Sequence, residues 1–249
     1  MPERRNILTE FNNELGFSTA SIQYIELTRR IAVEEHQMDL SGVDIIGTAK
    51  QYGLTVSELP NDIKSRISSN YIIQIHSCVE QFLYNYQSMV GSSVRNLTYN
   101  SDKDGNRLKW IMKNALPEQN AQDKEWYDIC NYYRLVRNMV IHKGKTTDEY
   151  RTAFTRIQKF SFEKLDAIND LEHLCFDDQV VFARTARKLL ERIYRDGIID
   201  WQTILSYELE AIDRIKQRYH KDHCKQMEHI ENYLKRFYPL PESGLPIDL

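Results

Sequence analysis

Arg137, Asn138 and His142 are the residues of this chain whose types and spacing suit a chemical step. They stand in the run Tyr-Tyr-Arg-Leu-Val-Arg-Asn-Met-Val-Ile-His-Lys-Gly, residues 132–144. A guanidinium fork holds a phosphate through two charge-assisted hydrogen bonds. An imidazole, with an ordinary pKa of about 6.5, takes and returns a proton near neutral pH. Gripping a phosphate and moving a proton are the two tasks of metal-free RNA cleavage.

These side chains need one helix to present them. At about 100° per residue, Ile129, Tyr132, Tyr133, Val136, Met139 and Val140 gather on one side as a core stripe. Asn131, Arg134, Asn138 and His142 gather on the other, with Arg137 at the border. The spacing predicts a helix from about Asp123 to Lys143, closed by Gly144 as a left-handed cap. A second long helix is predicted to about Val90, capped by Asn61-Asp62, with Ile63, Ile67, Tyr71, Ile75, Cys78, Phe82 and Tyr86 as its stripe. His76 and Glu80 lie on it and are candidates to orient the reactive groups.

Arg137-Asn138-Met139-Val140-Ile141-His142 resembles the Arg-Asn-x-x-x-His signature of HEPN domains, and Lys143-Gly144 resembles the continuation after its histidine. An Arg and His at similar separation also occur as Arg29…His36, Arg30…His36, Arg214…His220 and Arg218…His223. The Arg137 copy differs in three ways: an asparagine follows directly, the flanks are aromatic and aliphatic, and a glycine ends the run. The likeness is sharp over about a dozen residues and diffuse over roughly 65–200.

The resemblance implies an all-α, HEPN-like helical bundle with additional N- and C-terminal helices. It divides the chain into an extension over 1–60, a core over 61–199, and a long helix and tail over 200–249. It implies a metal-independent endoribonuclease of toxin or phage-defence type that leaves a 2′,3′-cyclic phosphate. Arg137 and His142 would be its catalytic pair, with Asn138 orienting the imidazole or meeting a phosphate oxygen. Arg134, Lys143 and Lys145 would be further RNA contacts. It further implies a homodimer with two motif helices facing one cleft, and a cognate antitoxin or defence partner. The competing expectation is a non-catalytic helical module that binds a partner protein or nucleotide.

Composition agrees with an ordinary globular chain: 249 residues, 41% hydrophobic and 28% charged. Met-Pro-Glu-Arg-Arg-Asn leads into polar sequence with no apolar signal region, and no apolar run approaches the ~20 residues of a membrane span. Cys78, Cys130, Cys175 and Cys224 are scattered without CxxC spacing, so thiols in a reducing cytoplasm are expected. A net charge of −3 argues against a broad nucleic-acid coat. Arg134, Arg137, Lys143, Lys145, Arg151, Arg156 and Lys159 against Asp148 and Glu149 still leave a local +5 around the motif.

Helical periodicity extends through the rest. Residues 4–15 and 18–37 read as a pair separated by Gly16, then 43–52 as a short helix and 54–60 as a linker. Residues 91–106 read as a loop, and 107–116, 147–159, 177–195 and 200–238 as helices. Asp177-Asp178 looks like a helix start rather than a metal site. His220 and Cys224, spaced i and i+4, lack further ligands in register, so no metal and no cofactor is expected. Of Tyr71, Tyr84, Tyr86, Tyr127, Tyr132 and Tyr133, most are expected in the core or at interfaces rather than stacked on bases.

Overall fold

A computed structural model of the chain describes residues 6–30, 50–51, 53, 63–90, 99, 105–116, 118–142, 146–160, 168–241 and 244–245. The expectations at 43–49, 54–60, Asn61-Asp62, 91–98, Lys143, Gly144 and Lys145 lie outside the described residues. Among the described residues the regular structure is entirely helical, as the periodicity predicts. The helices are α1 (Ile7–Arg30), α2 (Ile63–Val90), α3 (Arg107–Asn114), α4 (Ala121–His142), α5 (Asp148–Ile157), α6 (Phe176–Asp196), α7 (Trp201–Arg218) and α8 (His223–Leu234) among the described residues. No helix is long and apolar enough to cross a membrane among the described residues.

Two helix boundaries and one buried face differ here from the sequence reading. The expected pair around Gly16 is one helix, α1, running unbroken to Arg30. A mid-helix glycine costs only about 0.5–1 kcal/mol relative to alanine, and the buried stripe of Phe11, Leu15 and Ile22 continues past it. The buried face of α2 is broader than the expected stripe: Ile75, Cys78, Phe82 and Tyr86 are buried as expected, Ile72, Val79 and Leu83 join them, and Ile67 is exposed. The expected C-terminal helix is two helices, with a turn at residues 219–221. Asp222 stops the run by capping α8, its carboxylate accepting from the Lys225 backbone N–H at 3.1 Å.

The described residues belong to two compact units, each assembled from separate stretches of sequence. One comprises Met1–Glu14, Ser77–Asp128 and Thr185–Leu249. Within it Phe82 stacks on Tyr86 and meets Phe11 edge-on, with centroids 6.1 and 5.6 Å apart. Helices α7 and α8 share a small core of Leu205, Ile212, Ile230 and Leu234. Beside it, the buried Glu208 carboxylate accepts from the Tyr233 and Tyr238 hydroxyls at 2.6 and 2.9 Å. Two donors satisfy a group that would be costly to bury alone.

Gly197 ends α6 in this unit, its N–H donating to Ile193 O at 2.9 Å. The Tyr86 hydroxyl lies where a Cβ on Gly197 would stand, and it donates to Ile198 O at 3.0 Å. Gly197→Ala must displace a fully buried tyrosine, so it is expected to destabilise the chain by about 1–3 kcal/mol. A urea midpoint unchanged from the parent protein would contradict this.

The other unit comprises Leu15–His76 and Ile129–Arg184 and holds the Arg137 motif. Its core is aromatic. Tyr133 stacks on Phe182 at 4.8 Å, and Tyr132 packs against Tyr133, Tyr150 and Phe154 at 5.0, 5.5 and 5.6 Å. A buried carboxylate, Asp178, joins the rings to the chain before α6. Its Oδ1 accepts from the Tyr133 hydroxyl and the Asn169 N–H, each at 3.0 Å. Its Oδ2 accepts from Asn169 Nδ2 at 3.0 Å and the Cys175 N–H at 2.9 Å.

Candidate functional site

The motif helix α4 begins two residues earlier than the periodicity suggests. Asn120 and Asp123 bond reciprocally there: the Asn120 N–H donates to Asp123 Oδ2 at 3.0 Å, and the Asp123 N–H donates to Asn120 Oδ1 at 2.9 Å. This is the logic of a capping box, with each side chain satisfying the other's free amide. Along the helix, Ile129, Tyr132, Tyr133, Val136 and Met139 are buried as expected, and Leu135 joins them. Val140 is half-buried. Asn131, Arg134, Arg137 and Asn138 are half-buried, and His142 is exposed in the last turn. One helix thus carries a packed aromatic face and a polar face of graded exposure.

The polar face is organised by short side-chain bonds. Arg137 Nη1 donates to Asn138 Oδ1 at 3.0 Å, so the asparagine amide holds the guanidinium. Asn138 had two expected roles, at the imidazole or at a phosphate; its partner in the structure is Arg137. Arg134 is held by two groups, its Nε donating to Asn131 Oδ1 at 3.0 Å and its Nη2 to Glu149 Oε1 at 2.9 Å. Glu149 stands in the first turn of α5, which Thr147 caps by accepting from the Tyr150 N–H at 3.2 Å. Arg151 Nη1 meets Asp148 at 3.2 Å. The two acids of the local +5 segment therefore each engage an arginine.

Of the two candidates on α2, His76 has the more unusual surroundings. His76, on α2 in the same unit, is buried. Burial holds its pKa down, to about 4, with the positive charges of Arg137 and then Arg134 adding to the effect. A neutral imidazole beside two guanidiniums avoids a third positive charge. Glu80, the other candidate on α2, accepts from Arg107 Nη1 at 3.0 Å. The only signal for His76 in the sequence was its position on an amphipathic helix, and its charged neighbours come from α4, more than fifty residues away.

The depressed pKa makes His76 a source of acid sensitivity. An unfolded histidine titrates near 6.5 and the folded one near 4. Between those values the unfolded chain binds a proton that the folded chain refuses, so stability rises with pH there. The contribution is complete above about pH 6.5, is lost as pH falls toward 4, and changes no further below. A shift from 6.5 to about 4 is worth on the order of 3 kcal/mol. His76→Gln is expected to flatten this part of the stability–pH curve. Parallel slopes for the two proteins between pH 6.5 and 4 would refute it.

The competing metal arrangement does not form as one helical face. His220 lies in the turn after α7, and Cys224 lies in α8 beyond the cap. Among the described residues no group of three or more His, Cys, Asp or Glu is placed to hold a metal ion. Of the tyrosines, Tyr86, Tyr132 and Tyr133 are buried and Tyr84 is exposed, with the Arg107 guanidinium 5.4 Å from its ring centroid. The chain matches no family model, no curated protein and no solved structure.

Proposed function

We propose that the chain is a metal-independent endoribonuclease of the HEPN type, with Arg137 and His142 as its catalytic residues. The observation that carries this reading is the polar face of α4. Arg137 is held in place by the Asn138 amide, and His142 stands exposed in the last turn of the same helix. A guanidinium tethered on one side keeps donors for a phosphate on the other. The imidazole five residues on stands about 140° around the helix axis from Arg137, so a substrate between two facing motif helices would meet an arginine of one and a histidine of the other.

In the proposed reaction the RNA 2′-hydroxyl oxygen attacks the adjacent phosphorus, and the bond from phosphorus to the 5′-oxygen breaks. An imidazole accepts the 2′-hydroxyl proton, and an imidazolium protonates the leaving 5′-oxygen. Arg137 bonds the non-bridging oxygens most strongly when charge accumulates on the five-coordinate phosphorus. A homodimer would supply two His142 side chains, one for each proton transfer. This pairing follows the HEPN resemblance, and light scattering on the active protein tests it.

Cleavage itself is the primary test. The purified chain, incubated with a mixed RNA substrate in excess EDTA, is expected to yield fragments ending in 2′,3′-cyclic phosphate and beginning with 5′-hydroxyl. Mass spectrometry of the fragments distinguishes these ends. Loss of cleavage on chelation, or 3′-hydroxyl with 5′-phosphate ends, would exclude the mechanism. Intact RNA under every condition would favour the non-catalytic interaction module.

A further inference from the structure

Helix α1 has two apolar faces on opposite sides. One is the buried stripe of Phe11, Leu15 and Ile22. The other carries Phe17, Ala20, Tyr24 and Leu27, spaced three, four and three residues apart, as the a and d positions of a heptad are. At about 100° per residue the two faces stand roughly 180° apart around the axis. The second face is in solvent: Phe17 is 77% exposed, Tyr24 72% and Leu27 56%, and Ala20 is exposed with them. Single exposed apolar residues are ordinary, but a contiguous row of them marks an interaction surface. All four belong to the unit that holds the Arg137 motif, and none is part of that motif.

We propose that this face pairs with its own copy, as an antiparallel seam between the α1 helices of two chains. Two observations select that occupant. The first is charge. Residues 13–28 contain no lysine or arginine, and their two acids, Glu14 and Glu26, stand off the seam. An anionic lipid or nucleic-acid surface calls for basic residues beside the apolar ones, whereas an uncharged seam meets itself without repulsion. The second is shape. A two-fold axis passing beside Ile22, perpendicular to the helix, sets Phe17 opposite Leu27 of the partner subunit and Ala20 opposite Tyr24 of the partner subunit. Each layer then joins a larger side chain to a smaller one. A parallel pair would set Ala20 against Ala20 of the partner subunit, leaving a gap, and would crowd Phe17 and Tyr24 against their own copies. Beside the antiparallel seam Glu14 faces Thr28 of the partner subunit, so no like charges meet. Four layers make a small interface, and the association is reversible and concentration-dependent. It is separate from the motif-helix dimer of the proposed ribonuclease and does not depend on it.

Sedimentation equilibrium and disulfide trapping test the pairing. The parent chain is expected to gain mass with concentration in the micromolar range. Phe17→Glu and Tyr24→Glu should each weaken that association step about tenfold or more, the loss of one large apolar contact. Both positions face solvent in the single chain, so circular dichroism should be unchanged. For the register, Ala20→Cys and Tyr24→Cys are each made in a Cys224→Ser chain, which removes the exposed native thiol. Combined in a glutathione buffer, the two proteins are expected to give the mixed disulfide above its statistical share, where a parallel pair would give the two self-disulfides. The proposal is overturned if the parent chain stays monomeric, if the glutamate variants associate as the parent does, or if the mixed disulfide does not exceed its statistical share.

Discussion

Arg137→Ala and His142→Ala are each expected to lower RNA cleavage by roughly 10²–10⁴-fold with the helical content of the chain unchanged. The range is that of a removed general acid–base or a removed preorganised charge donor. His142 is exposed in the last helical turn, so its truncation removes chemistry and little packing. Arg137→Lys should fare nearly as badly as alanine, because an ammonium lacks the planar two-point grip. Asn138→Ala should be milder, since it frees the guanidinium of its 3.0 Å tether without removing it. His220→Ala and His223→Ala should leave the rate unaltered. Equal losses in the His142 and His223 variants would show that the assignment, or the activity itself, belongs elsewhere. Arg137→Ala has a second signature that needs no activity. It removes one of the charges depressing His76, so that imidazole's pKa should rise, though burial, the larger cause, should keep it below its ordinary value.

The largest loss of stability is expected at Asp178. Its two carboxylate oxygens accept from the Tyr133 hydroxyl, the Asn169 N–H, the Asn169 amide and the Cys175 N–H. Alanine leaves the Tyr133 hydroxyl and the Asn169 and Cys175 N–H groups without this acceptor in a site that is 1% exposed, and Asn169 Nδ2 keeps only Cys175 Sγ, at 3.4 Å. Breaking a buried network from one side costs about 3–5 kcal/mol, because the remaining polar groups stay buried and unpaired. The expected result is a fall in melting temperature on the order of 10 °C. Tyr133→Phe removes only one of the donors along with its hydroxyl, so it should cost about 1 kcal/mol. If Asp178→Ala cost no more than Tyr133→Phe, the network would not be the element that holds these segments together.

What could be read in the sequence divides along physical lines. The buried face of α4 was legible because five apolar residues recur at helical spacing over two turns or more, and such a stripe packs whatever it meets. Asp177-Asp178 was legible as a helix start for a similarly local reason. The partners of Asp178 were not, because Tyr133 is distant in sequence and nothing near Asp178 announces it. The division between α7 and α8 was missed although its signal is local. Asp222 is a good cap, but the charged residues around it continue a helical composition that hides the stop. Gly16 is the opposite case. A lone glycine without a capping partner did not end α1, because the stripe beyond it still had a core to join. His76 depended on non-local charge, which no periodicity encodes.

The bond between Arg134 and Glu149 bears on how ions take part in binding. Arg134 keeps a fixed carboxylate at 2.9 Å on a side chain that is 64% exposed. Because the carboxylate partner stands largely in solvent, the ion pair contributes only modestly, so in the proposed ribonuclease an incoming phosphate would displace Glu149 readily. What leaves the arginine is then a tethered acid rather than a chloride released to bulk solution. The gain in mixing entropy that normally accompanies phosphate binding by a free arginine is forfeited at this position. The affinity for a polyanion should consequently weaken less steeply with added salt than the number of arginines on α4 implies.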